Sequence, residues 1–278
     1  MTQTQSRELW FESLDGLRLH AWDWGAEDAD KTLLIVHGYG EHAGRYQERA
    51  QTFVGAGWRV IAVDVRGHGL SEGRRGHTMS FANYLSDLDK VARHITTPRE
   101  RTMVLGHSHG GLIVLRRSLQ DPTFFAASAV TSPMLGLGIE APRWKVTAGR
   151  ILSKYLPKFS LPTEIDPKEL SHDPAVVEGY AKDPLTHKVV NTRWYTEAMD
   201  AIEVAFRDAS KVSVPMLVLQ SGGDRIVSPE ATRRWAASAP SHLVEFDEVP
   251  LAYHELLFEL DGETHNGRLL AYFESKLG

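Results

Sequence analysis

The chain has 278 residues, a net charge of −5 and no cysteine, with 42% hydrophobic and 24% charged residues. Such a length buries a sizeable core, the mild acidity without a long basic block speaks against nucleic acid as a partner, and the missing thiols exclude disulfides, thiol catalysis and cysteine-ligated zinc. The start, MTQTQSRELW, lacks a basic stretch followed by an apolar one, and nowhere do about 18 apolar residues run uninterrupted, so the expectation is a soluble, cytoplasmic protein, at most peripheral to a membrane.

In chain order, Glu8 to Ser13 and Leu17 to Trp24 alternate around Leu14-Asp15-Gly16 and read as a β-hairpin with Asp-Gly at its turn. TLLIVHG and WRVIAVD are continuous apolar runs of strand length, as expected where helices cover both faces of a parallel sheet. Between them Tyr46 to Val54 has helical spacing and stops at Gly55-Ala56-Gly57. Phe81 to Ile95 carries Phe81, Leu85, Leu88 and Val91 on one face and reads as a crossover helix ending before Pro98. The rhythm continues with strand RTMVLG, helix Gly111 to Leu119 and strand Ala126 to Thr131. It resumes later with strand VPMLVLQ, helix Pro229 to Ala239 behind Ser228 as N-cap, strand HLVEF and a last helix from about Thr264. Eight strands alternating with helices predict an α/β fold with a mostly parallel, doubly wound sheet.

From Pro133 to about Lys211 the rhythm breaks: no strand-like run appears, and six prolines between Pro142 and Pro184 chop the segment into short helical pieces. Too long for a bare loop, it is expected to be a helical cap at 133–211 inserted into a core formed by 1–132 and 212–278. Within it Trp144, Ala148, Ile151, Leu152 and Tyr155 recur at helical spacing, with Lys145, Arg150, Lys154 and Lys158 adding positive charge. The apolar side of this helix is expected to cover a cleft, with contact to an anionic lipid surface as the alternative.

The chemistry gathers at Gly106-His107-Ser108-His109-Gly110, a G-x-S-x-G sequence with a strand before it and a helix after it, the context of a nucleophile elbow. A serine hydroxyl is a weak nucleophile and needs a positioned base, usually histidine, oriented by a carboxylate. In this motif's fold the acid follows the serine and the histidine comes last. Asp224 ends a strand and a glycine turn, and His254 sits on a loop after the last strand; Asp247 and Glu248 compete for the acid's place. The oxyanion donors map to the main-chain N–H groups of His109 and of Tyr39 in His37-Gly38-Tyr39-Gly40. Gly38, the His109 imidazole, Trp144 and Ile151 are the expected substrate contacts, and His107 is expected to turn away from the mouth of the elbow. Histidines are plentiful, but without H-E-x-x-H or a matching carboxylate cluster no metal is expected. Arg66-Gly67-His68-Gly69 and Gly73-Arg74-Arg75-Gly76-His77 read as a stiffened loop network, since no phosphate-binding pattern follows a strand correctly.

HGYGEHAGRY (His37 to Tyr46), DVRGHGLSEGRRGH (Asp64 to His77), GHSHGG (Gly106 to Gly111), SGGDRIVSP (Ser221 to Pro229) and YHELLFE (Tyr253 to Glu259), in that order, resemble blocks of the monoacylglycerol lipase and lysophospholipase branch of the α/β-hydrolases. Asp183-Pro184-Leu185 resembles a sixth block. The resemblance implies an α/β-hydrolase fold and a serine hydrolase with a triad of Ser108, Asp224 and His254 and a capped acyl cleft. It also implies a small acyl ester or lipid substrate and no cofactor. That family more often has Met than His after the nucleophile. Carbon–carbon bond hydrolysis, aminopeptidase-like activity, aryl ester cleavage and a slow-turnover receptor share the same triad, since fold alone does not choose chemistry.

Overall fold

The computed structural model describes residues 6–138, 143–163 and 165–277, the side chains of 143–146 and 148 excepted. Strands run over Arg7–Glu12 (β1), Arg18–Trp24 (β2), Thr32–Val36 (β3), Arg59–Val63 (β4), Thr102–His107 (β5), Ala127–Thr131 (β6), Ser160–Pro162 (β7), Val189–Asn191 (β8), Met216–Ser221 (β9) and Val244–Val249 (β10). Helices run over Gln47–Gly55 (α1), Ala82–Ala92 (α2), His109–Gln120 (α3), Arg143–Tyr155 (α4), Pro174–Lys182 (α5), Thr192–Arg207 (α6), Pro229–Ser238 (α7) and Gly262–Ser275 (α8). Eight strands form one sheet in the order β1-β2-β4-β3-β5-β6-β9-β10. It is parallel except where β2 meets β1 and β4, which is the mostly parallel, eight-stranded α/β sheet that the alternation of elements predicts.

The apolar runs work because both faces of the sheet are buried. In β3, Leu34 and Val36 join one core with α2, α3, α6 and α7, while Leu33 and Ile35 join the other with α1 and α8. Full burial of one such side chain stabilises by about 1.5–3 kcal/mol relative to exposure. The α2 face is the predicted one, Leu85, Leu88 and Val91 being buried.

Between β6 and β9 the structure departs from a purely helical insertion. β7 and β8 pair antiparallel as a ribbon of three residues a strand, too short for a period-two pattern to show in sequence. α6 packs on α3 and sends Ala198, Ala201, Ile202 and Ala205 into the main core. α4 in turn packs on α6.

The register fixes where the loops emerge. Val36 lies beside Gly106, Gly106 beside Val130, and Thr131 beside Leu219, so the ends of β3, β5, β6 and β9 share one rim. The chain leaves β3 toward β4 on one side and returns to β5 on the other. That reversal opens a crevice at the carboxyl ends of β3 and β5, where open α/β sheets bind ligands.

Candidate active site

Ser108 stands where β5 turns into α3, with φ of 51° and ψ of −114°. A non-glycine residue at positive φ is strained, and close packing of the glycines holds it there. A Cβ on Gly106 would meet the Gly110 carbonyl oxygen at 2.5 Å, and one on Gly110 would run into the Val36 carbonyl oxygen of β3. The backbone is pinned by Ser108 N–H donating to Thr131 O and Met134 N–H donating to Ser108 O, both at 3.0 Å. Because α3 begins at His109, that residue's main-chain N–H belongs to the first turn, whose donors have no carbonyl one turn earlier to satisfy them.

The structure brings the three expected side chains together. His254 Nε2 lies 3.0 Å from Ser108 Oγ, and His254 Nδ1 lies 2.7 Å from Asp224 Oδ2. Asp224 Oδ1 accepts main-chain N–H bonds from Ile226 at 2.9 Å and Val227 at 3.0 Å, which leaves Oδ2 for the imidazole. The competing acids pair elsewhere: Asp247 with Arg268, and Glu248 with Arg233 at 2.6 Å. All three members of the group are buried. Burial alone opposes a charge on His254, but the Asp224 carboxylate outweighs it and lifts the imidazole above its ordinary pKa.

A cleft of about 430 Å³ opens over Ser108, walled by apolar side chains such as Met134, Leu137, Leu161, Val190, Trp194 and Val227. Gly38 and Tyr39, on the loop after β3, line it beside Ser108 and His254. Two expected contacts fall elsewhere. The His109 imidazole is fully buried and takes a 3.3 Å hydrogen bond from Trp194 Nε1, turned away from the cleft. Ile151 is 58% exposed on the outer side of α4 and takes no part in the lining, because the inner side of α4 is spent on α6. The side chain of Trp144 lies outside the described residues.

His107 also departs from expectation. It is among the residues that line the cleft, its ring centroid 4.8 Å from that of His254 and its Nδ1 3.1 Å from Thr131 Oγ1. Burial and the neighbouring His254 push it down to about 3, so it is neutral. With Glu41 and Glu255 it forms a buried group whose donor atoms all lie within 4.8 Å of one another, a cluster that sequence spacing did not reveal. One guanidinium already bridges the two carboxylates. Arg45 grips Glu255 through two 2.6 Å bonds and Glu41 through one of 2.7 Å, while Gly38 N–H and Tyr46 Oη–H donate to Glu41. Burial works against ionisation of Glu41, but Arg45 and the neighbouring donors hold its carboxyl below the ordinary range. Glu41 and Arg45 are four apart, so that pair was legible in His37 to Tyr46; its partner Glu255, 210 positions further on, was not.

Other contacts tie the segment between β6 and β9 to this rim. His42 Nε2 lies 2.8 Å from Asp183 Oδ2, which places the Asp-Pro-Leu block against the loop after β3. Glu255 N–H donates to Leu170 O at 2.8 Å, and Ser171 Oγ to Phe258 O at 2.8 Å, so the histidine loop is stapled to residues 170 and 171.

A family described as serine aminopeptidase, S33, matches residues 27–261. An uncharacterised abhydrolase domain-containing protein of Dictyostelium discoideum is 32% identical over 242 residues, 87% of this chain, which spans about a quarter of that longer protein (25%). A monoacylglycerol lipase of Mycolicibacterium smegmatis is 30% identical over 268 residues, covering 93% of this chain and 94% of its own. The solved monoacylglycerol lipase of Paleococcus ferrophilus superposes with a TM-score of 0.84 at 29% identity, over 98% of this chain and 99% of its own. With sequence and structure matched along nearly the whole length, the chain belongs to the serine aminopeptidase S33 family of α/β-hydrolases and is a hydrolase similar to monoacylglycerol lipases.

Proposed function

We propose that the protein is a serine carboxylic ester hydrolase that cleaves monoacylglycerol-like or lysophospholipid-like esters through an acyl-enzyme on Ser108. The observation that carries this reading is His254 bridging Ser108 and Asp224 at 3.0 and 2.7 Å beneath a mostly apolar cleft. Ser108 Oγ attacks the ester carbonyl carbon while its proton passes to His254 Nε2. The imidazolium is stabilised by Asp224, and the tetrahedral oxygen by the main-chain N–H groups of Tyr39 and His109. His254 then protonates the leaving alcohol, and water repeats the sequence to release the acid. None of these steps calls on a metal or cofactor. Residues 133–211 act as the cap and 1–132 with 212–278 as the hydrolase core.

The wall of Met134, Leu137, Leu161 and Val227 suits an acyl chain, and the polar lining at Glu41, His107, Tyr180 and Glu255 suits a hydroxylated leaving group. The family description makes aminopeptidase activity the rival. It would need a carboxylate for the substrate's α-ammonium group; Arg45 engages both Glu41 and Glu255, which leaves Glu169 on the cleft wall as the carboxylate such a substrate would require. A panel of monoacylglycerols, lysophospholipids, triacylglycerols, aryl esters of graded length and aminoacyl anilides separates these readings. Steady turnover is expected to be fastest on one of the first two classes. Faster cleavage of an aminoacyl anilide, or no steady ester turnover at all, would overturn the assignment.

Transient contact with a lipid surface belongs to the same reading. Ile151, Tyr155, Leu156, Phe159 and Leu161 are between 46% and 71% exposed, in one stretch with exposed Lys154 and Lys158. Among the described residues no helix is long and apolar enough to cross a membrane, so such contact would be interfacial. Replacing Ile151 and Leu156 together by serine is expected to weaken binding to anionic vesicles about tenfold or more, from the apolar area lost. Turnover of a soluble short-chain ester should stay unchanged; undiminished vesicle binding would refute the contact.

A further inference from the structure

Tyr39, on the loop after β3, and His109, after the nucleophile, meet at a single side chain of the inserted segment. Trp194 lies in the first turn of α6 and is 6% exposed. Its ring lies 3.9 Å from that of Tyr39, centroid to centroid, at an interplanar angle of 36°. Its indole N–H donates to His109 Nε2 at 3.3 Å, and the two rings stand 5.3 Å apart, edge to face. Tyr39 is held at its far end as well, its hydroxyl lying 3.0 Å from Gly76 O and 2.9 Å from Val189 O of β8.

Trp194 is itself fixed. Asn191 caps α6 by accepting the Trp194 main-chain N–H at 3.0 Å, while its amide nitrogen donates to Gly76 O. The loop around Gly76, the end of β8 and the start of α6 therefore close on the Tyr39 ring from three sides. The acceptor role of His109 Nε2 places the His109 proton on Nδ1, a buried atom with no hydrogen-bond partner among the described residues, and the ring packs edge to face with Tyr84 at 4.8 Å. Burial, reinforced by His37, keeps that imidazole neutral, with its pKa pushed down to about 3, so the acceptor persists across the working pH range.

We infer that Trp194 is a positioning residue: through the Tyr39 ring and the His109 imidazole it sets the direction of the two main-chain N–H groups that receive the tetrahedral oxygen. Seating of α6 and completion of the oxyanion hole are then one event. This rests on the serine ester hydrolase reading, because it assigns the N–H groups of Tyr39 and His109 to that oxygen. An oxyanion donor acts only when aimed at the place the charge develops, and removing one costs about 10²–10³ in turnover. A donor merely misaimed should cost less than a deleted one.

The experiment compares wild type with Trp194→Phe, His109→Leu and His109→Gln, reading kcat and KM on p-nitrophenyl butyrate and the rate of Ser108 labelling by a fluorophosphonate. Trp194→Phe keeps the aromatic body and loses the donor; it is expected to lower kcat and the labelling rate about tenfold with KM within twofold. Trp194 also lines the cleft, so a change in KM alone would mean that it only shapes the pocket, and would overturn the inference. His109→Gln retains an acceptor that the indole can reach and should keep at least several-fold more kcat than His109→Leu. Equal losses in those two variants, which leave Trp194 in place, would likewise overturn it. A wild-type protein that labels with the phosphonate but turns over no ester removes the ester reading, and leaves the labelling rates to decide the role of Trp194.

Discussion

Exchanging Ser108 for alanine is expected to lower ester turnover by about six orders of magnitude, as removal of the nucleophile does in serine proteases, and to abolish labelling by a fluorophosphonate. The size follows from the chemistry. Without Oγ there is no acyl-enzyme, and a residual acceleration of about 10³–10⁴ over water, from bound donors alone, is all that the site can offer. The fold should survive the change. The one side-chain hydrogen bond that Ser108 Oγ makes among the described residues is to His254, while its backbone is held by Thr131, Met134 and the packed glycines at 106 and 110. An alanine variant with a wild-type melting curve therefore isolates the chemistry. If that variant still cleaves esters at more than a thousandth of the wild-type rate, the nucleophile lies elsewhere.

The elbow was legible because its cause is local: small residues at Gly106 and Gly110 are demanded by backbone atoms that must approach them. The sheet was legible for a similar reason, since a strand buried on both faces shows its burial as an unbroken apolar run, as Leu33 to Val36 does. The relation of Asp224 and His254 to Ser108 came from chain order and from strand ends, and the register that gathers those ends at one rim supplied the rest. Orientation was not legible. Helical spacing in Trp144 to Tyr155 announces an apolar face without saying what it meets, and the structure spends the inner side of α4 on α6 while Ile151 faces outward. The Arg45–Glu255 pair, the closeness of His107 to His254 and the hydrogen bond from Trp194 to His109 all join residues whose chemistry is plain only once folding has set them side by side. A ribbon as short as β7 and β8 leaves no periodicity to read.

Asp224→Asn is the second large effect, and its cause can be traced atom by atom. Asp224 Oδ1 accepts the N–H groups of Ile226 and Val227 at 2.9 and 3.0 Å. An asparagine there keeps its carbonyl oxygen on those two donors, because its amide nitrogen cannot accept them. The NH₂ group is then forced into the place of Oδ2, 2.7 Å from His254 Nδ1. Facing a donor, Nδ1 must accept, so the imidazole proton moves to Nε2, and the atom that should take the serine proton already carries one. A loss on the order of 10⁴ in kcat is expected, the size of the same exchange in a serine protease, with the fold retained. The pH profile carries a separate sign. In the wild type the carboxylate lifts His254 above the ordinary imidazole value of 6.5 against the opposing effect of burial. Because the base must be unprotonated, kcat/KM should fall as pH drops through that raised value, so the acid limb lies above pH 6.5. In Asp224→Asn burial remains and the carboxylate is gone, so the residual activity should show its acid limb at lower pH. A wild-type profile flat through the mildly acidic range would remove His254 as the base, and an asparagine variant within tenfold of wild type would remove Asp224 as the group that orients it.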